Sequence, residues 1–255
     1  MKLGCCGGIK DIKDIKSAGA DFVELPVASI ADMDINSLQS VLKNSSITPY
    51  SFNIFLPGDL KITGPAVDKE KVKTYLNKAM EKVSSIGGKL IVFGSGGARS
   101  IPENYPLEKG KQDIVSFLDL VSGYAQKFNI KIAIEPLNRK ECNILNTTLE
   151  ALEIAQILNN PYIGVLIDNY HAEIEKESLS NIEKTGNKLY HVHLSNKDRT
   201  APRKDDYDFK ELFSVLKSIN YNGAISIESS FKDISKELPY SIEYLKNLWM
   251  EGKLR

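Results

Sequence analysis

The chain has 255 residues, with 33 Lys and Arg against 33 Asp and Glu, so no net charge draws it toward nucleic acid or an anionic membrane, and its partners are expected to be small molecules. Three cysteines, two of them adjacent as Cys5 and Cys6, suit a reducing compartment and no disulfide framework, while three histidines are too few for a Cys/His zinc finger. The start MKLGCCGGIK lacks the apolar stretch of a signal peptide and no run of about 18 apolar residues follows, which places the chain in the cytoplasm with no membrane segment.

Along the chain, short β-like runs alternate with helical patterns. Strands are expected near residues 3–7, 22–26, 48–55, 90–94, 130–135, 163–168, 189–194 and 224–228. Between them lie amphipathic stretches such as DKEKVKTYLNKAMEKVSSIG, DIVSFLDLVSGYAQKF, TTLEALEIAQILNN and DFKELFSVLKSIN, with apolar residues at three- and four-residue spacing. Thr147 followed by Glu150 three positions later is a helix-start signal. Eight strands in strict alternation with helices, in about 250 residues and without a break in composition, predict one domain over residues 1–255: an α/β fold, a parallel eight-stranded (β/α)8 barrel. The proline-containing stretch 101–111 is longer than the other connections and is expected to act as a flap.

The strand ends carry the chemistry. In IKIAIEPLNRKEC a β-branched, apolar run stops at Glu135, whose carboxylate loses water at a cost of several kcal/mol unless a cation or donors meet it. Asp168 ends the sixth run (GVLIDNYH), His193 the seventh (LYHVHLSN) and Glu228 the eighth (AISIESS), each separated from the last by about one βα unit of an eight-unit barrel. In such a barrel the C-terminal strand ends converge on one mouth. Three carboxylates converging there without a cation would repel one another and push their pKa values up, which a divalent metal resolves. Oxygen-rich ligation with one imidazole favours Mn²⁺ first, with Co²⁺, Mg²⁺ or Zn²⁺ as alternatives, and four protein ligands leave two octahedral positions for substrate oxygens.

The stretches IEPLNRKECNILNT, IDNYH, HVHLSNKDR and SIE resemble the successive strand-end motifs of the xylose isomerase-like TIM barrels, in particular the D-tagatose 3-epimerase/D-psicose 3-epimerase branch of sugar isomerases and epimerases. The strong part of the resemblance covers residues 130–229; the N-terminal half matches in strand rhythm and in FNIFLPGDLKITGP and FGSGGARSIP. The resemblance implies a metal-dependent ketose epimerase or aldose-ketose isomerase acting through an enediolate. Glu135 and Glu228 would be both metal ligands and the acid/base pair, Asp168 and His193 the remaining ligands, and Glu141, His171 and Arg199 would hold the carbonyl end of the substrate. One carboxylate would take a proton from one face and the other return one from the opposite face. On the same scaffold, dehydration of an inosose-type cyclitol is the alternative chemistry. An endonuclease IV-like hydrolase needs more histidines than are present, and a non-catalytic sugar-binding protein has no use for two opposed carboxylates.

Several residues carry a second reading. Glu141 could pair with Arg139 or Lys140, and His171 could orient a ligand rather than touch substrate. His191, two residues before His193 on one strand face, reads as a core or supporting histidine one layer deeper. The segment GSGGAR, residues 94–99, could cradle a phosphate, although glycines after a strand more often serve a tight turn or close approach. Where the family has a proline and a glycine-containing turn, this chain has Pro202 followed by Arg203, Lys204, Asp205 and Asp206. With Arg99, Arg139 and Arg199 all following strand ends, an acidic or phosphorylated sugar enters the expectation. The helix YSIEYLKNLWMEG offers a face for a homodimer.

Overall fold

A computed structural model describes residues 1–204 and 206–251. Its strands are β1 (Lys2–Cys6), β2 (Val23–Pro26), β3 (Pro49–Asn53), β4 (Leu90–Phe93), β5 (Lys131–Ile134), β6 (Ile163–Asp168), β7 (Leu189–Leu194) and β8 (Ala224–Ile227). They close into a barrel in sequence order, every pairing parallel, with β1 bonded to both β2 and β8. Strands β4 and β6 are buried along their whole length, as expected where helices cover one face and the barrel interior the other.

The helices pack their apolar stripes onto the outside of the sheet. Lys69–Ser85 buries Val72, Leu76, Ala79, Met80 and Val83, and starts at Asp68, whose side chain accepts from the N–H groups of Glu70 and Lys71. Thr148–Leu158 opens with the expected capping box, Thr147 accepting from Glu150 N–H while the Glu150 carboxylate accepts from Thr147 N–H at 3.0 Å. Phe209–Ser218, burying Phe209, Leu212, Phe213 and Leu216, and Ile234–Glu251, burying Leu238, Ile242, Leu245 and Trp249, complete the ring. No helix among the described residues is long and apolar enough to cross a membrane.

Three local expectations change. Strand β3 stops at Asn53 because Ile54 adopts φ +44°, a left-handed conformation that no extended strand can continue through. Glu135 and Glu228 lie one residue beyond the last paired residues of β5 and β8, although both backbone N–H groups still donate to the neighbouring strand, to Phe93 O and Leu194 O. The stretch 101–111 is no free flap: helix Leu107–Phe128 begins inside it, and Asn143 clamps Ile101 by accepting its N–H at 2.9 Å and donating to its carbonyl at 3.0 Å. Asp205 in the rim turn and Gly252 at the end of the suggested dimer face lie outside the described residues.

Candidate active site

Period-two alternation along the strands sends one side chain in two into the barrel. On β7 these are His191 and His193, on β6 Leu166 and Asp168, on β8 Ser226, and on β3 Ser51 and Asn53. The register sets Asp168 beside His193, and His193 beside Ser226. A small apolar cluster of Leu90, Val92, Ala133 and Leu166 is separate from the main core. Beside it lies a fully buried polar layer of Glu24, Ser51, His191 and Ser226.

The four strand-end residues meet. One oxygen each from Glu135, Asp168 and Glu228 and one ring nitrogen of His193 all lie within 4.8 Å of one another. His193 Nδ1 stands 3.1 Å from Glu135 Oε1 and 2.9 Å from Glu228 Oε2. The other ring nitrogen, Nε2, is 2.9 Å from Glu24 Oε1. Arg199 closes the cluster, donating from Nη1 to Asp168 Oδ2 at 2.9 Å and from Nη2 to Glu228 Oε2 at 2.6 Å.

The charge states follow from these contacts. Burial alone would lower the pKa of His193, but the carboxylates of Glu24 and Glu228 raise it well above the ordinary value. Burial would raise Glu24 and Glu228; the imidazolium of His193 outweighs it, holding Glu24 well below the carboxylate range and, with Arg199, Glu228 at about 2. Four carboxylates, Glu24, Glu135, Asp168 and Glu228, thus face two cationic groups, His193 and Arg199. A divalent ion would take the place of the Nδ1 proton: with Glu24 accepting the Nε2–H, the neutral ring would leave Nδ1 free to ligate, and four carboxylates against Arg199 alone leave negative charge for the ion to answer. The residues present therefore fit a metal in donor chemistry and in charge.

Glu24 was absent from the sequence expectations. It accepts from Ser51 Oγ at 2.5 Å and Ser226 Oγ at 2.6 Å, and its Oε2 lies 2.8 Å from His191 Nε2. A signal was available: Glu24 interrupts the apolar run FVELPV just as Glu135 interrupts IAIEPL. His191 is the buried supporting histidine that its strand position implied.

His171 lies at the edge of the cluster. Its Nδ1 accepts from the backbone N–H of Asn138 at 3.3 Å, so the proton sits on Nε2, which is 3.7 Å from Asp168 Oδ2. Glu141 is half exposed and accepts from Asn138 Nδ2 at 2.9 Å. Neither suggested ion pair for Glu141 forms: Arg139 grips Glu175 instead, and the backbone N–H of Lys140 caps Asn138 Oδ1. The three arginines do not converge on an anion. Arg99 is fully buried and donates to the carbonyls of Phe93 and Leu145 at 3.0 and 3.2 Å, tying two loops together. The glycines of GSGGAR serve close approach: a Cβ on Gly94 would collide with Glu135 Oε2, and one on Gly97 would lie 3.1 Å from Gly58 Cα. Burial, with Glu24 nearby, pushes the thiols of Cys5 and Cys6 well up, leaving them protonated.

A closed parallel barrel with carboxylates and one imidazole gathered at the C-terminal ends of its strands defines a class, and comparison with known proteins names it. The chain belongs to the xylose isomerase-like TIM barrel family, whose model matches residues 12–248. Among similar characterised proteins is an L-ribulose 3-epimerase of Methylomonas sp. (strain DH-1), 26% identical over 96% of this chain and 87% of that protein. A ketose 3-epimerase of Arthrobacter globiformis is 27% identical over 99% of this chain and 92% of its own. The crystal structure of D-psicose 3-epimerase with D-tagatose from Clostridium cellulolyticum H10 superposes with a TM-score of 0.87 over 98% of this chain and 99% of that one, at 18% identity.

Proposed function

We propose that the protein is a divalent-metal-dependent ketose 3-epimerase of the cytoplasm, with Glu135, Asp168, His193 and Glu228 holding one ion, Mn²⁺ in the first instance. The observation that carries this reading is the pair of carboxylates, Glu135 and Glu228, both within hydrogen-bond reach of the same His193 nitrogen. They come from β5 and β8, three strands apart on a ring of eight, and so approach a bound molecule from different sides.

A divalent ion bound there would polarise a substrate carbonyl and its neighbouring hydroxyl, acidifying the C–H between them. One carboxylate removes that proton. The other, having taken up a proton from solvent, gives it to the opposite face, which inverts the carbon, and the first releases its proton to solvent. The Nε2–H of His171 donates to the oxygen that gains negative charge, and Arg199, whose guanidinium remains charged, adds a cationic donor on the Glu228 side. Glu141, half exposed at the rim and braced by Asn138, orients a hydroxyl. Glu24 fixes the tautomer and ring plane of His193.

Proton exchange tests the reading. Mn²⁺-loaded protein is incubated in D₂O with D-psicose, D-tagatose, L-ribulose and a set of cyclitols, and C–H signals are followed by NMR. Exchange at the carbon next to the carbonyl, with appearance of the epimer, is the expected result. Loss of a whole hydroxyl would replace epimerisation with dehydration, and no exchange with any ketose would overturn the reading.

A further inference from the structure

Asn53, the last residue of β3, is 7% exposed. Its Nδ2 donates to Glu228 Oε1 at 2.9 Å, while its Oδ1 is buried with no hydrogen-bond partner among the described residues. Rotating the amide by a half-turn would set two acceptors against each other, so the contact with Glu228 fixes which atom is left over. A buried carbonyl oxygen without a donor is costly, and proteins seldom leave one unless something else supplies the hydrogen. The next residue explains why Asn53 cannot relax away: Ile54 turns the chain through a left-handed conformation, and its carbonyl accepts from Ala28 N–H at 3.1 Å, pinning the end of the strand.

We propose that Asn53 is a substrate-binding residue whose Oδ1 accepts a hydrogen bond from a ketose hydroxyl close to the carbon reached by Glu228, while its Nδ2–H keeps that carboxylate aimed. The proposal rests on the ketose reading above and deepens it, since it assigns a polar subsite that selects for one hydroxyl. Sugars meet the requirement by their chemistry: a hydroxyl can donate to Oδ1 and still accept elsewhere. A substrate with hydrogen in place of that hydroxyl would leave Oδ1 unpaired, and sites built to bond a hydroxyl discriminate strongly against its absence.

The test is a cycle between enzyme and ligand. Dissociation constants of Mn²⁺-loaded wild type and Asn53→Ala are measured by calorimetry for D-psicose, D-tagatose, L-ribulose and their monodeoxy analogues, and the same samples are scored for exchange in D₂O. Expected is a loss of about tenfold or more for the parent ketose in the variant, matched in wild type by one deoxy analogue alone, with no further loss when the two changes are combined. An equal loss for every analogue would reduce Asn53 to a support of Glu228 and overturn the subsite, as would unchanged affinities. Selective binding without exchange would sink the epimerase chemistry but keep the subsite. A wild type that binds no ketose would overturn both. Asn53→Gln, which keeps the amide one methylene farther out, guards against misfolding: its folded state with weakened binding of the parent ketose is expected, and parent affinity equal to wild type would count against the geometry.

Discussion

Replacing Glu24 by Gln isolates what a buried carboxylate does from a distance. The side chain is fully buried and faces Ser51, Ser226 and His191 with one oxygen and His193 with the other, at 2.5 to 2.9 Å. Gln keeps the shape but must turn an NH2 group one way or the other. Facing the serines, it is tolerated because hydroxyls can rotate to accept. Facing His193, it forces the imidazole proton onto Nδ1, the nitrogen aimed between Glu135 and Glu228. In either case the charge that favours the Nε2–H tautomer is lost. Partners of this kind are worth about 10- to 100-fold in metal affinity, or roughly 1.4–2.7 kcal/mol. Mn²⁺ titration by calorimetry should show that weakening, while the thermal midpoint of the metal-free protein falls by no more than about 10 °C, the equivalent of about 3 kcal/mol in a chain of this size. Unchanged Mn²⁺ affinity in a folded Glu24→Gln variant would refute the positioning argument.

Glu135→Gln and Glu228→Gln should each abolish turnover with the fold retained by circular dichroism; activity near wild type in either removes it from the acid/base pair. Gly94→Ala places a methyl where Glu135 Oε2 sits, so kcat should drop about 100-fold through displacement of that carboxylate alone, and an unimpaired kcat would mean Glu135 is free to move. In metal-free protein, Glu228 is held at about 2 against an ordinary 4.5. A depressed carboxylate contributes stability that is present above pH 4.5 and lost as pH falls toward 2, at most about 3 kcal/mol here. Urea titrations of wild type and Glu228→Gln across that window should therefore converge toward the acid end, and parallel curves would refute it. Ile54 holds a left-handed conformation while 53% exposed, a penalty of roughly 1–2 kcal/mol with little burial in return. Ile54→Asn should accordingly raise the melting temperature by about 2–4 °C, and a lower one would show that the side chain packs on something essential.

Much of the architecture was legible because it is written in short-range pattern. The alternation of apolar strands with three- and four-spaced helices needs only neighbouring residues to be read, and residues 163–168 and 189–194 emerge with the expected bounds. The gathering of Glu135, Asp168, His193 and Glu228 was also legible, since a parallel barrel brings equivalent strand ends to one rim whatever their separation in the chain. Boundaries set by backbone conformation were not: nothing in the composition of FNIF announces that Ile54 turns left-handed.

What only the tertiary structure decided is who answers each charge. Glu24 meets His193 across 169 positions and Ser226 across 202, and Asn53 meets Glu228 across 175, pairings that no local pattern encodes. The three arginines after strand ends look alike in sequence, yet one ties loops from the core, one grips Glu175 and one bridges Asp168 and Glu228. The physical reason is the same throughout. Hydrophobic periodicity is a property of each segment and survives in the one-dimensional chain, whereas the free energy of a buried charge or amide depends on the few atoms within about 3 Å of it, and closure of the barrel selects those atoms.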